Sequence, residues 1–250
     1  MDDIRPSTTA EGVEHAIQCI ASTQYGAFGR AQAMAAGATN SHLKHGIARG
    51  RYRRLERGVF AVAAAPDSWR LRLIGACLAR PAYTCASHRA AAHLWAMGID
   101  RAPIEVSTTA DVRPRTEELI VHRVTALPAC DRALKAQIPT TSPARTLIDL
   151  AAVVDAETLE VALDEALRRG LASLARVRWR LQELGTKGRK GTASLLGLLN
   201  ERSKDARSPE SPLETRVRRA IRNAGLPEPI ASTRFNPEAC LSRGWISRTR

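Results

Sequence analysis

Apolar residues return at helical intervals near the start of the chain. Val13, Ala16, Ile17 and Ile20 share one face, so the spacing predicts a first helix from Glu11 to about Thr23, ended at Tyr25-Gly26. A short second helix is expected over Arg30 to Ala36, stopped by Gly37, which is free to take the left-handed backbone that helix ends favour. Thr39 or Asn40 is placed to cap a third helix running to about Arg49. Ala33, Gly37 and Leu43 stand where a helix-turn-helix needs a small residue, a turn glycine and a core aliphatic. With Leu43 and Ile47 as the buried stripe, a rotation of about 100° per residue puts Ser41, His42, His45 and Arg49 on the opposite face and Lys44 at its flank. From Arg51 to Val62, apolar alternation around Gly58 predicts a two-stranded hairpin, the wing. Residues 1–66 therefore read as a winged helix-turn-helix.

Further along, helices are expected over Asp67 to Arg80 and over Ser87 to Met97, the second capped by Ser87 and burying Ala91, Leu94 and Trp95. Strand-like runs follow at Ile104 to Val106 and Leu119 to Arg123, and Ser142 with Pro143 opens another helix. Leu159, Leu163, Ala166 and Leu167 mark a helix within Asp155 to Gly170, and Leu174, Val177, Leu181 and Leu184 mark the next. These helices serve either as core of the same domain or as a toxin or dimer interface. The expected fold class is helix-rich α+β: the winged unit, then a mixed domain of helices and a small sheet over 67–184, a basic helix or linker over 185–209, and a last segment over 210–250.

Composition sharpens this picture. Apolar residues make up 44% of the 250 but aromatics only 4%, so the interior must be built from Ala, Leu, Val and Ile, which suits close helix packing. Lys and Arg outnumber Asp and Glu by 38 to 25, a net charge of +13 that favours a polyanionic partner. Between residues 24 and 66 stand seven basic side chains (Arg30, Lys44, Arg49, Arg51, Arg53, Arg54, Arg57) against the single acid Glu56. An arginine-rich coding bias accounts for the overall excess better than for this clustering. Double-stranded DNA is the expected partner: Ser41, His42, Lys44, His45 and Arg49 would read base edges in the major groove, and Arg51, Arg53, Arg54 and Arg57 would hold phosphates. Eleven basic residues between Arg168 and Arg207 against three acids either add non-specific DNA affinity or form a solvated surface.

Other chemistry is thinly represented. Five cysteines (Cys19, Cys77, Cys85, Cys130, Cys240) form no C-x-x-C pair, so neither a zinc site nor a disulfide framework is expected, and buried thiols in a reducing compartment are. No cofactor or metal is expected. His88, Arg89 and His93 invite an acid-base reading, but helix-end and amphipathic positions account for them. Gly185 to Gly191 lacks the order of a phosphate-binding loop and reads as a basic linker. No apolar run reaches the roughly 20 residues that span a bilayer, and Met1 to Ala10 has no signal-peptide character, which places the chain in the cytoplasm by expectation.

The segments Gly29 to Ala33 with Gly37, Arg53 to Ala61, Ser87 to Trp95 and Ile138 to Leu150 together resemble AbiEi-type antitoxins of type IV toxin-antitoxin systems, over roughly residues 20–225. The resemblance implies a winged-helix antitoxin that represses its own promoter and is paired with a nucleotidyltransferase-like toxin. Chains with this front half often continue, after a stretch like Glu210 to Glu214, into a domain similar to very-short-patch-repair endonucleases. Here that domain reads as incomplete. Ser211-Pro212-Leu213-Glu214 forms a capping box, or else Glu214 is the first acid of a nuclease metal site; after it come only Glu228 and Glu238 and no lysine. A frameshift upstream of Gly244 would explain the ending, since the codons permitted for Gly244 to Arg250 include a set that reads Val-Asp-Leu-Ala-Tyr-Pro in the shifted frame. The tail after about Pro229 is then expected to be disordered and the chain not to be an enzyme. The readings carried forward are a DNA-binding regulator, a degenerate nuclease and a toxin-neutralising interaction module.

Overall fold

The computed structural model describes residues 9–80, 83–100, 102–111, 118–186, 188–204 and 212–224. The Thr9 hydroxyl accepts from the Gly12 amide at 3.2 Å and starts α1 (Ala10–Thr23), whose stripe of Val13, Ile17 and Ala21 is buried. Tyr25 and Gly26, both at positive φ, turn the chain into β1 (Ala27–Gly29). α2 (Arg30–Ala35) ends at Gly37, whose φ of 92° confirms the left-handed stop. Thr39, accepting from the His42 amide, caps α3 (Asn40–Ala48). The hairpin follows as β2 (Tyr52–Glu56) and β3 (Val59–Val62), turning at Gly58. All three strands pair antiparallel in the order β1-β3-β2, so the expected wing has an additional strand. This is the winged helix-turn-helix arrangement. Its core is Val13, Ile17, Ala21, Phe28, Ala33, Ala38, Leu43, Tyr52 and Phe60.

One glycine sets the rotation of α3. A Cβ built on Gly46 would overlap the Tyr52 ring, which is itself held edge-on against Phe28 at 5.0 Å between centroids. Gly46→Ala would gain about 1 kcal/mol of helix propensity but must push this ring aside, so we expect a net loss of about 1–3 kcal/mol. Urea denaturation checks it; a neutral or stabilised variant would show the ring to be movable.

Ser68 caps α4 (Trp69–Leu78), which packs against both sheets: Ala27 and Ala61 of the wing share a core with Leu71, Leu73 and Ile74 of α4 and with Val106 and Ile138 beyond it. The winged unit is therefore seated on its neighbour. The Tyr25 hydroxyl also donates to the Ala136 carbonyl at 2.7 Å. After β4 (Thr84–Ala86) come α5 (His88–Leu94), β5 (Ile104–Thr108), β6 (Leu119–Arg123), β7 (Arg132–Lys135) and β8 (Ile138–Thr141). The second sheet runs β6-β5-β4-β8-β7, with β5/β6 and β4/β8 parallel and the other pairs antiparallel. The mixed sheet expected from the sequence is thus present.

Five helices follow among the described residues: α6 (Pro143–Leu150), α7 (Ala156–Arg168), α8 (Leu174–Leu184), α9 (Thr192–Lys204) and α10 (Pro212–Asn223). Leu147, Leu159, Leu163, Val177 and Leu181 form their core, and α9, within the stretch expected as a basic helix or linker, contributes Leu195, Leu198 and Leu199 to it. The basic stretch from Arg168 also differs from its expected role. Arg180 is paired with the fully buried Asp131 through two contacts of 2.6 Å, and Arg202 binds Asp164 and Glu160 at 2.6 and 2.7 Å. Arg168 bonds Glu165, Arg169 the carbonyls of Trp95 and Ala96, and Arg178 the Leu199 carbonyl. The planar guanidinium forks of Arg180 and Arg202 are buried and clamp separate elements together, while Arg168 and Arg169 keep their bonds at the surface.

Among the described residues no helix is long and apolar enough to cross a membrane. Cys77 and Cys85 are buried as expected, and burial raises both thiols above their ordinary value, Cys85 to about 12. Cys19 departs from the expectation: it is exposed, one helical turn from His15, with 3.6 Å between Sγ and Nε2. Cys240, Glu228, Glu238 and the tail lie outside the described residues, as does the Glu214 side chain.

Candidate nucleic-acid interface

The exposed residues of α3 are Asn40, Ser41, Lys44, His45 and Ala48, with Arg49 at its C-cap, and the helix contains no acid. Lys44 is exposed at the flank of the outward face, as expected, with Ser41 and Ala48 opposite the buried stripe. His42 is not on that face. The buried stripe runs through Leu43 and Gly46, while Ile47 is only half-buried, so the helix is rotated towards Tyr52 and His42 turns in with it. Its Nε2 lies 3.3 Å from Glu14 Oε2, and its side chain is only 15% exposed. The reason is the missing side chain at Gly46, which lets an aromatic ring in where an aliphatic stripe would have set the rotation.

The wing divides in the same way. Arg54 and Arg57 are exposed and have no ion pair among the described residues. Arg51 donates to Glu14 Oε2 at 2.9 Å and so ties β2 to α1, although its side chain stays 40% exposed. Arg53 is half-buried, with Nη2 donating to the Ala65 carbonyl at 3.3 Å. Between α1 and the end of α3 lies a cleft of about 430 Å³ lined by Glu11, Glu14, His15, His42, His45 and Arg51 among others. Its carboxylates disfavour phosphate on that flank, and the cleft also borders His45 and Arg49 of the α3 face.

A second cluster lies in the neighbouring sheet. Glu105 of β5, fully buried, accepts from the Arg89 amide at 3.0 Å and from Arg89 Nε and Nη2 at 3.0 and 3.2 Å, and its Oε1 is 2.7 Å from His122 Nε2 of β6. Glu105 thereby does the capping expected of Ser87, whose Oγ instead meets His88 Nδ1 at 2.9 Å. The rings of His88 and His122 stack with centroids 3.5 Å apart, and His88 holds a positive φ of 50°. Burial first, then the His122 ring, lowers His88 to about 3, so at neutral pH it is uncharged. Burial alone would raise Glu105, but its bonds from His122 and Arg89 outweigh this and hold it at about 2. His93 is accounted for structurally, with Nδ1 at 2.6 Å from the Ile99 carbonyl and its ring edge-on to Trp69. The sequence singles out His88 and Arg89 but not Glu105 or His122; the one signal for them is a charged residue inside the apolar strand Ile104-Glu105-Val106.

Comparison with protein-family models and with curated proteins finds no match to this chain.

Proposed function

We propose that the chain is a sequence-specific double-stranded DNA-binding regulator of transcription, of the type IV antitoxin kind and acting on its own promoter. The observation that carries the DNA-binding part is the acid-free, exposed face of Ser41, Lys44, His45 and Arg49 on α3 beside the unpaired wing residues Arg54 and Arg57. A helix of this width fits the major groove, where lysine, arginine and histidine meet acceptors such as guanine N7 and O6. Arg54 and Arg57 then hold phosphates, and Arg51 and Arg53 support them from half-engaged positions. The antitoxin role, autorepression and a nucleotidyltransferase-like toxin partner rest on the resemblance of the four segments quoted above. The reading is non-enzymatic.

A second reading, a module that neutralises a toxin through protein contact, is favoured by one observation. Leu213 and Val217 stand one helical turn apart on α10 and are 70% and 46% exposed, an apolar pair of the kind that partner surfaces cover. The wing separates the readings. Arg54→Ala and Arg57→Ala are each expected to weaken binding to all DNA and to flatten the salt dependence by about 0.9 per lost phosphate contact. Binding isotherms at several salt concentrations check this, and unchanged slopes would favour the interaction module.

A further inference from the structure

The geometry points to a site for a divalent transition metal ion of the zinc type, formed by His88, Glu105 and His122. One ligand atom from each of these residues lies within 4.8 Å of the other two, and the residues come from three separate elements, α5, β5 and β6. Atoms that share one ion at about 2.0–2.2 Å stand roughly 3–4 Å apart, so the atoms are near enough, and closing the set requires the stacked His122 ring to rotate so that both imidazole lone pairs meet at one point. Two imidazoles and one carboxylate suit zinc and its first-row neighbours, whereas magnesium and calcium prefer all-oxygen sets.

The surroundings resemble what metal ligands need. Arg89 grips both oxygens of Glu105 and fixes the plane of the carboxylate. The Ser87 hydroxyl on His88 Nδ1 orients that ring and leaves its other nitrogen as the donor. The histidines are not required to satisfy Glu105, which the three N–H groups of Arg89 already cap and pair. Yet the fold holds His88 at a φ of 50°, a conformation that non-glycine residues rarely adopt and that concentrates at functional positions. Ser107, in register with His122 and on the same face of β5 as Glu105, is buried with an Oγ that has no hydrogen-bond partner among the described residues. The His122 side chain is 26% exposed, which gives an ion a path from solvent. Such an ion would pin the start of α5 to β5 and β6.

The test uses the full chain, stripped with a chelator and titrated with Co(II), then Zn(II). The expected result is one equivalent of Co(II) giving visible ligand-field bands without a thiolate charge-transfer band, displacement by Zn(II), and a higher Tm with Zn(II). His122→Ala, at a partly exposed position, should stay folded by circular dichroism and lose at least about tenfold in affinity together with the Tm shift. His15→Ala with Cys19→Ser should change neither. Wild-type protein that binds no more metal than His122→Ala would overturn the site and leave the cluster as a hydrogen-bonded knot. A thiolate band that vanishes with Cys19→Ser would overturn it equally, by placing the ion on α1.

Discussion

Asp131→Ala is expected to cost about 3–5 kcal/mol of folding stability, a large part of what a domain of this size possesses. Asp131 is fully buried and meets Arg145 Nη1 at 2.7 Å and Arg180 Nε and Nη2 at 2.6 Å each. Arg145 keeps a second partner, because its Nε reaches Asp149 at 2.8 Å. Arg180 keeps no other counter-charge among the described residues, only the Trp179 ring 5.9 Å from its Cζ, and its side chain is only 9% exposed. The penalty is thus mainly that of a buried guanidinium left without its counter-charge, and it exceeds the net worth of the pair itself. Asp131→Asn, which preserves shape and loses charge, should fall between wild type and alanine. By contrast, Glu118→Ala removes an exposed partner of Arg72 and should change stability by less than about 1 kcal/mol. Urea unfolding at neutral pH, followed by far-UV circular dichroism, gives all three values. A loss below about 1 kcal/mol for Asp131→Ala would mean that water reaches Arg180.

The second large effect concerns DNA. Lys44→Ala, His45→Ala and Arg49→Ala combined should lower affinity for the operator by at least about 100-fold, since each base contact is worth about 1–3 kcal/mol, while affinity for scrambled duplex should fall far less. Discrimination would then approach that of phosphate contact alone. His42→Ala is the informative control. With its ring turned to Glu14 and Tyr52, it should alter stability and leave the ratio of operator to scrambled affinity unchanged. Loss of discrimination with His42→Ala would return that residue to the reading face; full discrimination in the triple variant would remove α3 from it.

Strong periodicity made α1, α3, α4, α7 and α8 legible to within a few residues, with Thr39 also legible as the cap of α3, whereas the caps Thr9, Ser68, Asp155 and Ser173 emerge only in the fold. β1, β4 and the hairpin of β7 and β8 were not. β1 and β4 are three residues long and buried throughout, so neither shows the alternation by which a half-buried strand is recognised. The winged interface was legible in its residues and only partly in its rotation, since spacing favours Ile47 over a glycine whose importance lies in the ring it admits. Asp131, Glu105 and Arg202 illustrate a deeper limit. A charged residue in sequence reads as surface, and only its partners, often tens of residues away, show that it belongs inside: Arg180 to Asp131, His122 to Glu105, Glu160 and Asp164 to Arg202. For that reason the basic stretch after Arg168, legible as charge, was not legible as a set of helix clamps.

Fluorescence anisotropy of the full chain against the duplex upstream of its own gene and a shuffled duplex, over a range of salt concentrations with magnesium present and followed by a gel for cleavage, decides whether the protein reads a DNA sequence. A sequence-specific regulator prefers the upstream duplex, loses affinity steeply with salt and leaves the DNA intact. Equal affinity for both duplexes, no binding at all, or cut DNA would rule that function out.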